Sequence, residues 1–315
     1  MNCKYYYGET PMERTNNHDF NKLTSSVIKE LKSISDKNIT HPRYLPEKDA
    51  VMEIIEVLRN ILFPGYFDKQ SVEDTNIEYY IGALLFTARD KLHEQIYYAL
   101  LHDNEATEKF REDADMRSEQ ITQEMVRKIP DLRRLLHTDV EATLEGDPAA
   151  RNKHEIIFAY PGIYAISVYR IAHELHKMGV PLIPRMMTEH AHSITGIDIH
   201  PGAEIGHHFF IDHGTGIVIG ETTEIGNHVK IYQGVTLGAL STRGGQRLSG
   251  KKRHPTLEDE VTVYSATSIF GGETVIGKGA VVGSNVFITS SVPPMTRVTI
   301  KSQELNFRPL KGCSE

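Results

Sequence analysis

Between Ile199 and Ile288 an aliphatic residue returns at every sixth position. Ile199, Ile205, Ile211 and Ile217 stand six apart, and after a two-residue slip Ile219, Ile225, Ile231 and Leu237 continue. Leu257, Val263 and Ile269 resume beyond an interruption, and Ile276, Val282 and Ile288 close the series. An amphipathic helix returns its apolar residues at three and four and a half-buried strand at two, so a period of six is neither. Such a hexapeptide repeat predicts a parallel β-helix, in which each six residues make one short strand and one corner. Gly206, Gly220, Gly226, Gly277 and Gly283 recur beside the aliphatics and predict tight corners with positive φ.

Upstream the period becomes helical. Val51, Ile54, Ile55, Leu58, Ile61 and Leu62 follow the i, i+3, i+4, i+7 rule and stop at Pro64-Gly65. A longer stripe runs through Ile77, Ile81, Leu84, Leu85, Ala88, Leu92, Ile96 and Ala99, with Asp74, Thr75 and Asn76 as capping candidates. The charged segment 104–128 predicts a solvated helix. Pro130 opens the next, with Leu132, Leu135 and Leu136, and Pro161-Gly162 opens another with a face of Ala165, Val168, Tyr169, Ala172 and Leu175. Pro181 and Pro184 lead into a last helix at 185–194, and no strand alternation precedes residue 196. The chain therefore reads as an α+β type two-domain protein. A loose tail covers 1–17, an all-α helical domain 18–195, the hexapeptide coil 196–300 with a loop insertion at 239–256, and a tail 301–315. The apolar stripes on 51–62 and 77–100 exceed what one small bundle needs, which predicts assembly of several copies.

Composition narrows the classes. At 315 residues there is room for two domains, and 39% hydrophobic with 24% charged residues is ordinary for a globular protein. The net charge of −7 argues against a general nucleic-acid binder. No apolar run approaches a membrane span, and the start lacks the apolar core of a signal peptide, so a cytoplasmic location is the default expectation. Cys3 and Cys313 stand at opposite ends, which excludes a disulfide framework or a cysteine metal site.

Several strings carry chemistry. D-I-H-P-G-A begins at Asp198, I-D-H-G-T-G-I-V-I-G-E-T spans 211–222, Y-Q-G-V-T-L-G spans 232–238 and K-K-R-H-P spans 251–255. Upstream stand D-P-A-A at 147–150 and Y-R-I-A-H-E-L at 169–175. Taken in order, these strings closely resemble the serine O-acetyltransferases of the hexapeptide-repeat acyltransferase superfamily, over about residues 130 to 300. The resemblance implies a left-handed parallel β-helix after the helical domain. It also implies acetyl transfer from acetyl-CoA to the L-serine hydroxyl, giving O-acetyl-L-serine and CoA in cysteine biosynthesis, with no metal expected.

Acyl transfer to an alcohol needs a base for the hydroxyl proton, a group that orients the base, and donors for the thioester oxyanion. Imidazole titrates at about 6.5, near working pH, and a carboxylate on one ring nitrogen leaves the other free to accept a proton. The resemblance assigns this partnership to His213 and Asp198. Their separation falls short of one coil of three hexapeptides, about 18 residues, and predicts adjacent corners. By the same resemblance Asp147 and Asp212 hold the serine amino group, and Arg253 with His254 holds its carboxylate, His254 also serving the developing oxyanion. An Asp-Pro pair is in its own right a turn starter, so Asp147 has a structural reading beside the functional one. Glu221 reads as structural. Gly214, Gly216 and Gly220 lack the strand-turn-helix context of a phosphate loop and read as coil corners.

Acetyl-CoA is expected along the outer coils, through backbone near Gly238-Ala239, Ser265-Ala266 and Ser284. Here the chain reads Y-S-A-T where many relatives read G-A-G-A, and Tyr264 and Phe270 add bulk beside the groove. The segment between Leu237 and Leu257 holds four glycines (238, 244, 245, 250) and five basic residues from Arg243 to Arg253, and leaves the coil as a cationic loop, either a solvated excursion or a lid over an anionic ligand.

Other readings stay open. One is another hydroxyl or amine acceptor on the same scaffold. A second is a γ-carbonic-anhydrase-like zinc site built on His208 and His213 with His200, His207 or His228 near. A third is a non-catalytic assembly scaffold, against which the joint presence of Asp198, His213, Arg253 and His254 argues. The resemblance also implies homotrimers, paired into hexamers. Many such enzymes recruit cysteine synthase through a C-terminal isoleucine; the last residue here is Glu315, which predicts weak or absent complex formation.

Overall fold

The computed structural model describes residues 17–33, 45–68, 76–102, 107–241 and 243–301. Cys3, Cys313, the capping candidates Asp74 and Thr75 and the tail beyond 301 lie outside them. The described residues fall into two units, divided between Tyr44 and Leu45. The first contains α1 (Asn17–Ser33), whose Phe20, Leu23, Val27 and Ile28 are exposed.

The second unit begins with α2 (Lys48–Leu62), α3 (Ile77–Leu101), α4 (Glu108–Gly146), α5 (Lys153–Ala159), α6 (Pro161–Lys177) and α7 (Ile183–Thr195). Three expectations need correction. Pro130 lies inside α4 instead of opening a helix, because it removes one N–H while Ile129 and Leu132 beside it are buried and hold the chain helical. The charged stretch before it is half-buried, since Ala114, Ser118, Ile121, Thr122 and Met125 form one inward stripe among the charges. The apolar stripe of α2 is consumed within the chain, with Val51, Ile54, Ile55, Leu58, Ile61 and Leu62 all buried. Of α2 and α3, only α3 leaves large apolar side chains exposed, at Ile77, Tyr79 and Phe86.

After α7, Gly196 closes the helix in the left-handed conformation and the coil starts. Its strands are β1 (Asp198–Ile199), β2 (Glu204–Ile205), β3 (Phe210–Asp212), β4 (Val218–Ile219), β5 (Glu224–Ile225), β6 (Lys230–Tyr232), β7 (Thr236–Gly238), β8 (Thr256–Leu257), β9 (Thr262–Val263), β10 (Ser268–Phe270), β11 (Val275–Ile276), β12 (Val281–Val282), β13 (Phe287–Ile288) and β14 (Arg297–Val298). They form three parallel sheets, β1-β4-β7-β10-β13, β2-β5-β8-β11 and β3-β6-β9-β12-β14, wound as a left-handed parallel β-helix. The aliphatic of each hexapeptide points inward. Ile199, Ile219, Leu237, Ile269 and Ile288 stack in the first sheet, Ile205, Ile225, Leu257 and Ile276 in the second, and Ile211, Ile231, Val263, Val282 and Val298 in the third. Ile217 is buried but belongs to a corner, which is where the two-residue slip sits.

The corner glycines also differ from expectation. Gly206, Gly220, Gly226, Gly277 and Gly283 are not among the positive-φ glycines. A Cβ at Gly206 would lie 2.8 Å from the Gly226 backbone, and one at Gly226 2.6 Å from Asp259 Oδ1, so close stacking of successive coils demands them. The left-handed corner positions fall instead on other glycines, such as Gly214, Gly234 and Gly279, and on non-glycine residues, among them His208, His213, His228, Ala266 and Asn285.

Helices and coil meet through α4 and α6. Arg170 donates from Nε and Nη2 to Asp139 at 3.2 and 3.1 Å, and from Nη1 and Nη2 to the carbonyls of Ile205 and Gly206 at 2.5 and 2.6 Å. Tyr169 donates its hydroxyl to Ala203 O at 2.5 Å. These bonds fix the end of α4, and with it Asp147, against the first coil.

Candidate active site

The coil has three corners: the first follows the strands of the first sheet, the second those of the second, the third those of the third. Asp212 ends β3, and His213 turns the third corner at φ 56°, with 73% of its side chain exposed. Its Nε2 lies 3.8 Å from Asp212 Oδ1. Asp147 caps the C-terminus of α4 and accepts from Ala149 N–H at 2.8 Å and from the Tyr160 hydroxyl at 2.6 Å. The Tyr160 bond, then the Ala149 bond, holds the Asp147 carboxyl below its usual range, and the nearby His213 adds to the effect. The same bond pushes Tyr160 up to about 12. The Asp-Pro turn and a place beside His213 therefore both describe Asp147.

Asp198 lies in β1, not at a corner. Its neighbour Ile199 points into the coil, so Asp198 faces outward from the first sheet, and neither a hydrogen bond nor an ion pair links it to His213. Gly214, at φ 87°, lets the corner close on Ile197; a Cβ there would meet the Ile197 side chain at 2.5 Å.

Arg253 and His254 return the cationic loop to the coil at the first corner. Arg253 Nη2 donates to Glu221 Oε2, and Arg253 Nη1 reaches Leu248 O at 3.3 Å. Burial works to raise the Glu221 carboxyl, but the Arg253 hydrogen bond and charge outweigh it and the net shift is downward. His254 is buried over Gly220, where a Cβ would strike its ring. The Thr222 N–H donates to His254 Nδ1 at 3.0 Å, so Nδ1 is the bare nitrogen and Nε2 carries the proton. Burial first, then the charge of Arg253, pushes this imidazole down to about 4, and it is neutral near pH 7. Thr222 Oγ1 accepts from the N–H groups of both Arg253 and His254 at 2.9 and 3.1 Å.

The positions expected at acetyl-CoA divide the same way. Gly238 and Ala239 leave β7 at the first corner, and Gly238 lies under the Phe270 ring, which packs on Phe287 at 5.3 Å. Ser265, Ala266 and Ser284 stack along the third corner, with Ser265 Oγ 3.1 Å from Ser284 Oγ and Ala266 at φ 57°. Tyr264 stacks on Tyr232 at 5.0 Å, and Tyr232 pairs with Asp212 across β3 and β6. The loop is exposed at Arg243, Arg247 and Lys251, with one 3-10 turn over Gly245–Leu248.

Within one chain the structure thus gathers Asp147, Asp212 and His213 at one corner and Arg253 and His254 at another. His208 lies at the second corner, across β3 from His213, so the zinc alternative loses its central pair. Sequence reasoning missed Tyr160 and Thr222. Tyr160 carries no spacing signal because a whole short helix separates it from Asp147, whereas Thr222, inside the G-E-T string, was legible only as part of a motif.

No protein-family model matches the chain. A plasmid serine acetyltransferase of Synechococcus elongatus is 44% identical over 255 residues, 79% of this chain and 80% of that relative. The Helicobacter pylori serine acetyltransferase is 54% identical over 128 residues, 41% of this chain and 71% of its own. The crystal structure of Entamoeba histolytica serine acetyltransferase 1 in complex with L-cysteine covers 90% of this chain and 100% of its own, at 34% identity and a TM-score of 0.68. With 44% identity across four-fifths of a curated relative, and the coil and corner residues in their expected order, the chain belongs to the serine acetyltransferase family.

Proposed function

We propose that the acetyl transfer from acetyl-CoA to L-serine takes place between two copies of this chain, one supplying His213, Asp198, Asp147 and Asp212 and the other Arg253 and His254. The carrying observation is the split of these residues between two corners. One face of the coil, five or six extended residues or about 16–20 Å, separates those corners, whereas a serine zwitterion spans only a few ångströms. A homotrimer, in which the third corner of one coil meets the first corner of the next, brings the two halves together. The exposed side of α3 at Tyr79 and Phe86 is the surface through which trimers would pair into hexamers.

In this reading Asp147 and Asp212 receive the serine ammonium, and Arg253, held by Glu221, receives its carboxylate. The serine hydroxyl gives its proton to His213 as its oxygen attacks the thioester carbonyl. Asp198, outward on β1, takes the orienting role once its side chain and the His213 ring turn toward each other, and then stabilises the imidazolium. The neutral His254 offers Nε2–H to the developing oxyanion. The tetrahedral intermediate then expels the CoA thiolate, which takes the proton back from His213, so no acetyl-enzyme forms. Ser265 and Ser284 sit two and three coils from His213, about 10 and 14 Å along the axis. Ser265, Ala266 and Ser284 from one copy and Gly238 and Ala239 from the other would line a pantetheine groove, with Tyr264 and Phe270 narrowing it. Among the described residues no helix is long and apolar enough to cross a membrane, and a cytoplasmic enzyme is the setting we assign.

Mixed trimers test this arrangement. At serine well below KM, His213→Ala and Arg253→Ala should each lose most activity alone, the first through kcat and the second through KM, and co-expression should restore a fraction, because a hybrid trimer contains a site built from two unaltered halves. Activity no higher in the hybrids than in the separate variants would place both halves in one chain and overturn the proposal.

A further inference from the structure

The second corner of the coil carries a cluster that acetyl transfer does not use. His207 and His208 turn this corner after β2, and His228 turns it one coil later after β5. His207 Nδ1 and His208 Nδ1 are 2.7 Å apart, and the His208 and His228 rings stack at 4.2 Å and 20°. One ligand nitrogen from each of the three falls within 4.8 Å of the others. From α4, Glu141 Oε2 lies 4.0 Å from His208 Nε2.

The backbone beneath these rings is fixed. His208 N–H donates to Thr138 Oγ1 at 3.1 Å, His207 N–H to Asn227 Oδ1 at 3.1 Å, and His228 N–H to His207 O at 3.0 Å. His208 and His228 both occupy the left-handed region, at φ 56° and 58°. Imidazoles brought together this way have two uses for their facing lone pairs, a shared proton or a shared metal ion. Zinc binds histidine nitrogen at about 2.0–2.1 Å in a tetrahedral shell, which sets neighbouring nitrogens about 3.3 Å apart. One pair of nitrogens is closer than that value and all three lie within 4.8 Å of one another, a spread that a shell of this size can draw together.

We propose that His207, His208 and His228 form a binding site for a divalent transition-metal ion of the zinc type, with water in the fourth position and Glu141 beside the other ring nitrogen of His208, where it orients the ring. The site is separate from the acetyl-transfer chemistry, since β3 lies between His208 and His213, about 16 Å of extended chain. Its ligands come from two successive coils, and Glu141 ties His208 to α4. A bound ion therefore clips the first coil to the second and both to the helical part. Such an ion is structural, with no open route to the thioester.

Titration of the metal-free full-length protein with Zn²⁺ by calorimetry, and with Co²⁺ by visible absorption, tests the site. The expected result is one saturable equivalent per chain, with tetrahedral cobalt bands and a higher melting temperature for the zinc form. His208→Asn and His228→Asn are the variants of choice, because asparagine accepts the left-handed backbone that both positions require. Each should weaken Zn²⁺ binding at least tenfold and remove the metal-dependent rise in melting temperature, while acetyl transfer by the metal-free protein persists. No saturable binding, or binding of unchanged affinity in both variants, would overturn the proposal.

Discussion

Asp139 and Arg170 face each other through a two-point ion pair at 3.1 and 3.2 Å, with side-chain exposures of 0% and 3%. Phe209 N–H adds a third donor to the carboxylate at 2.9 Å. The pair joins α4 to α6, and the remaining guanidinium hydrogens reach two carbonyls of the first coil, so one side chain couples three parts of the molecule. Removing only the cation leaves a buried carboxylate and two orphaned carbonyls. Arg170→Met should cost about 3–5 kcal/mol, read as a lower denaturation midpoint. Adding Asp139→Leu should recover part of the loss and not all, because the carbonyls of Ile205 and Gly206 stay unpaired. Full recovery would show that the pair, and not the junction, carries the stability.

His213→Ala should lower kcat by about 10²–10⁴, the usual worth of a positioned base, with little change in serine KM. Arg253→Ala should instead raise serine KM roughly ten- to a hundredfold, for a charged hydrogen bond worth about 1.5–3 kcal/mol. Steady-state kinetics on the two variants separates the roles, and an unchanged kcat in His213→Ala would remove it as the base.

Tyr160→Phe deletes the strongest of the influences that keep Asp147 ionised and aimed. Serine KM should rise about two- to tenfold for one neutral-donor hydrogen bond while kcat holds. An equal fall in kcat would mean that Tyr160 touches the reacting atoms.

Gly220→Ala places a methyl where the His254 ring lies. The ring must move, and a displacement of about 1 Å at a catalytic group costs up to 10²-fold in rate. The variant should fold, as the coil interior is untouched, and turn over slowly. Activity near that of the unaltered protein would exclude His254 from the oxyanion role.

Stability should depend on pH through the depressed imidazoles, His200 and His254 above all. Burial, then Arg253, pushes His254 to about 4, and burial, then Arg185, pushes His200 to about 4. Between about pH 4 and 6.5 the unfolded chain binds more protons than the folded one, so stability rises with pH across that window and is complete above it. The denaturation midpoint should fall as pH drops from about 7 to 5, and His254→Gln should flatten the slope. A flat profile in the unaltered protein would contradict it.

Much of the fold was legible because a six-residue period leaves one architecture: apart from Ile217, which turns a corner, the counted series from Ile199 to Ile288 is the interior ladder. The misread glycines show the limit. Sequence reports that Gly206 or Gly226 is small, but not whether smallness serves a torsion angle or a neighbour one coil away. Pro130 failed for a related reason, since burial of Ile129 and Leu132 overrode a local stop signal. At the site, the motif around His213 and the R-H-P string named the residues, yet their division between two corners depends on the coil length set by the slip at Ile217 and on the loop that carries Arg253 round. The tautomer of His254 depends on one backbone amide, at Thr222, which no spacing encodes.

The separation between inward aliphatics and outward corners has a consequence for how this protein can change. His213, His208, His228 and Ala266 all stand at turning points whose side chains leave the packed ladder untouched. Each of these four positions is a socket: the backbone specifies a left-handed residue there, and its side chain stands outside the ladder. New chemistry can therefore be installed corner by corner at small cost to the scaffold, whereas a single change in the ladder is felt by the coils above and below it. Variation among descendants of this chain should concentrate on the edges of the prism and spare its inside.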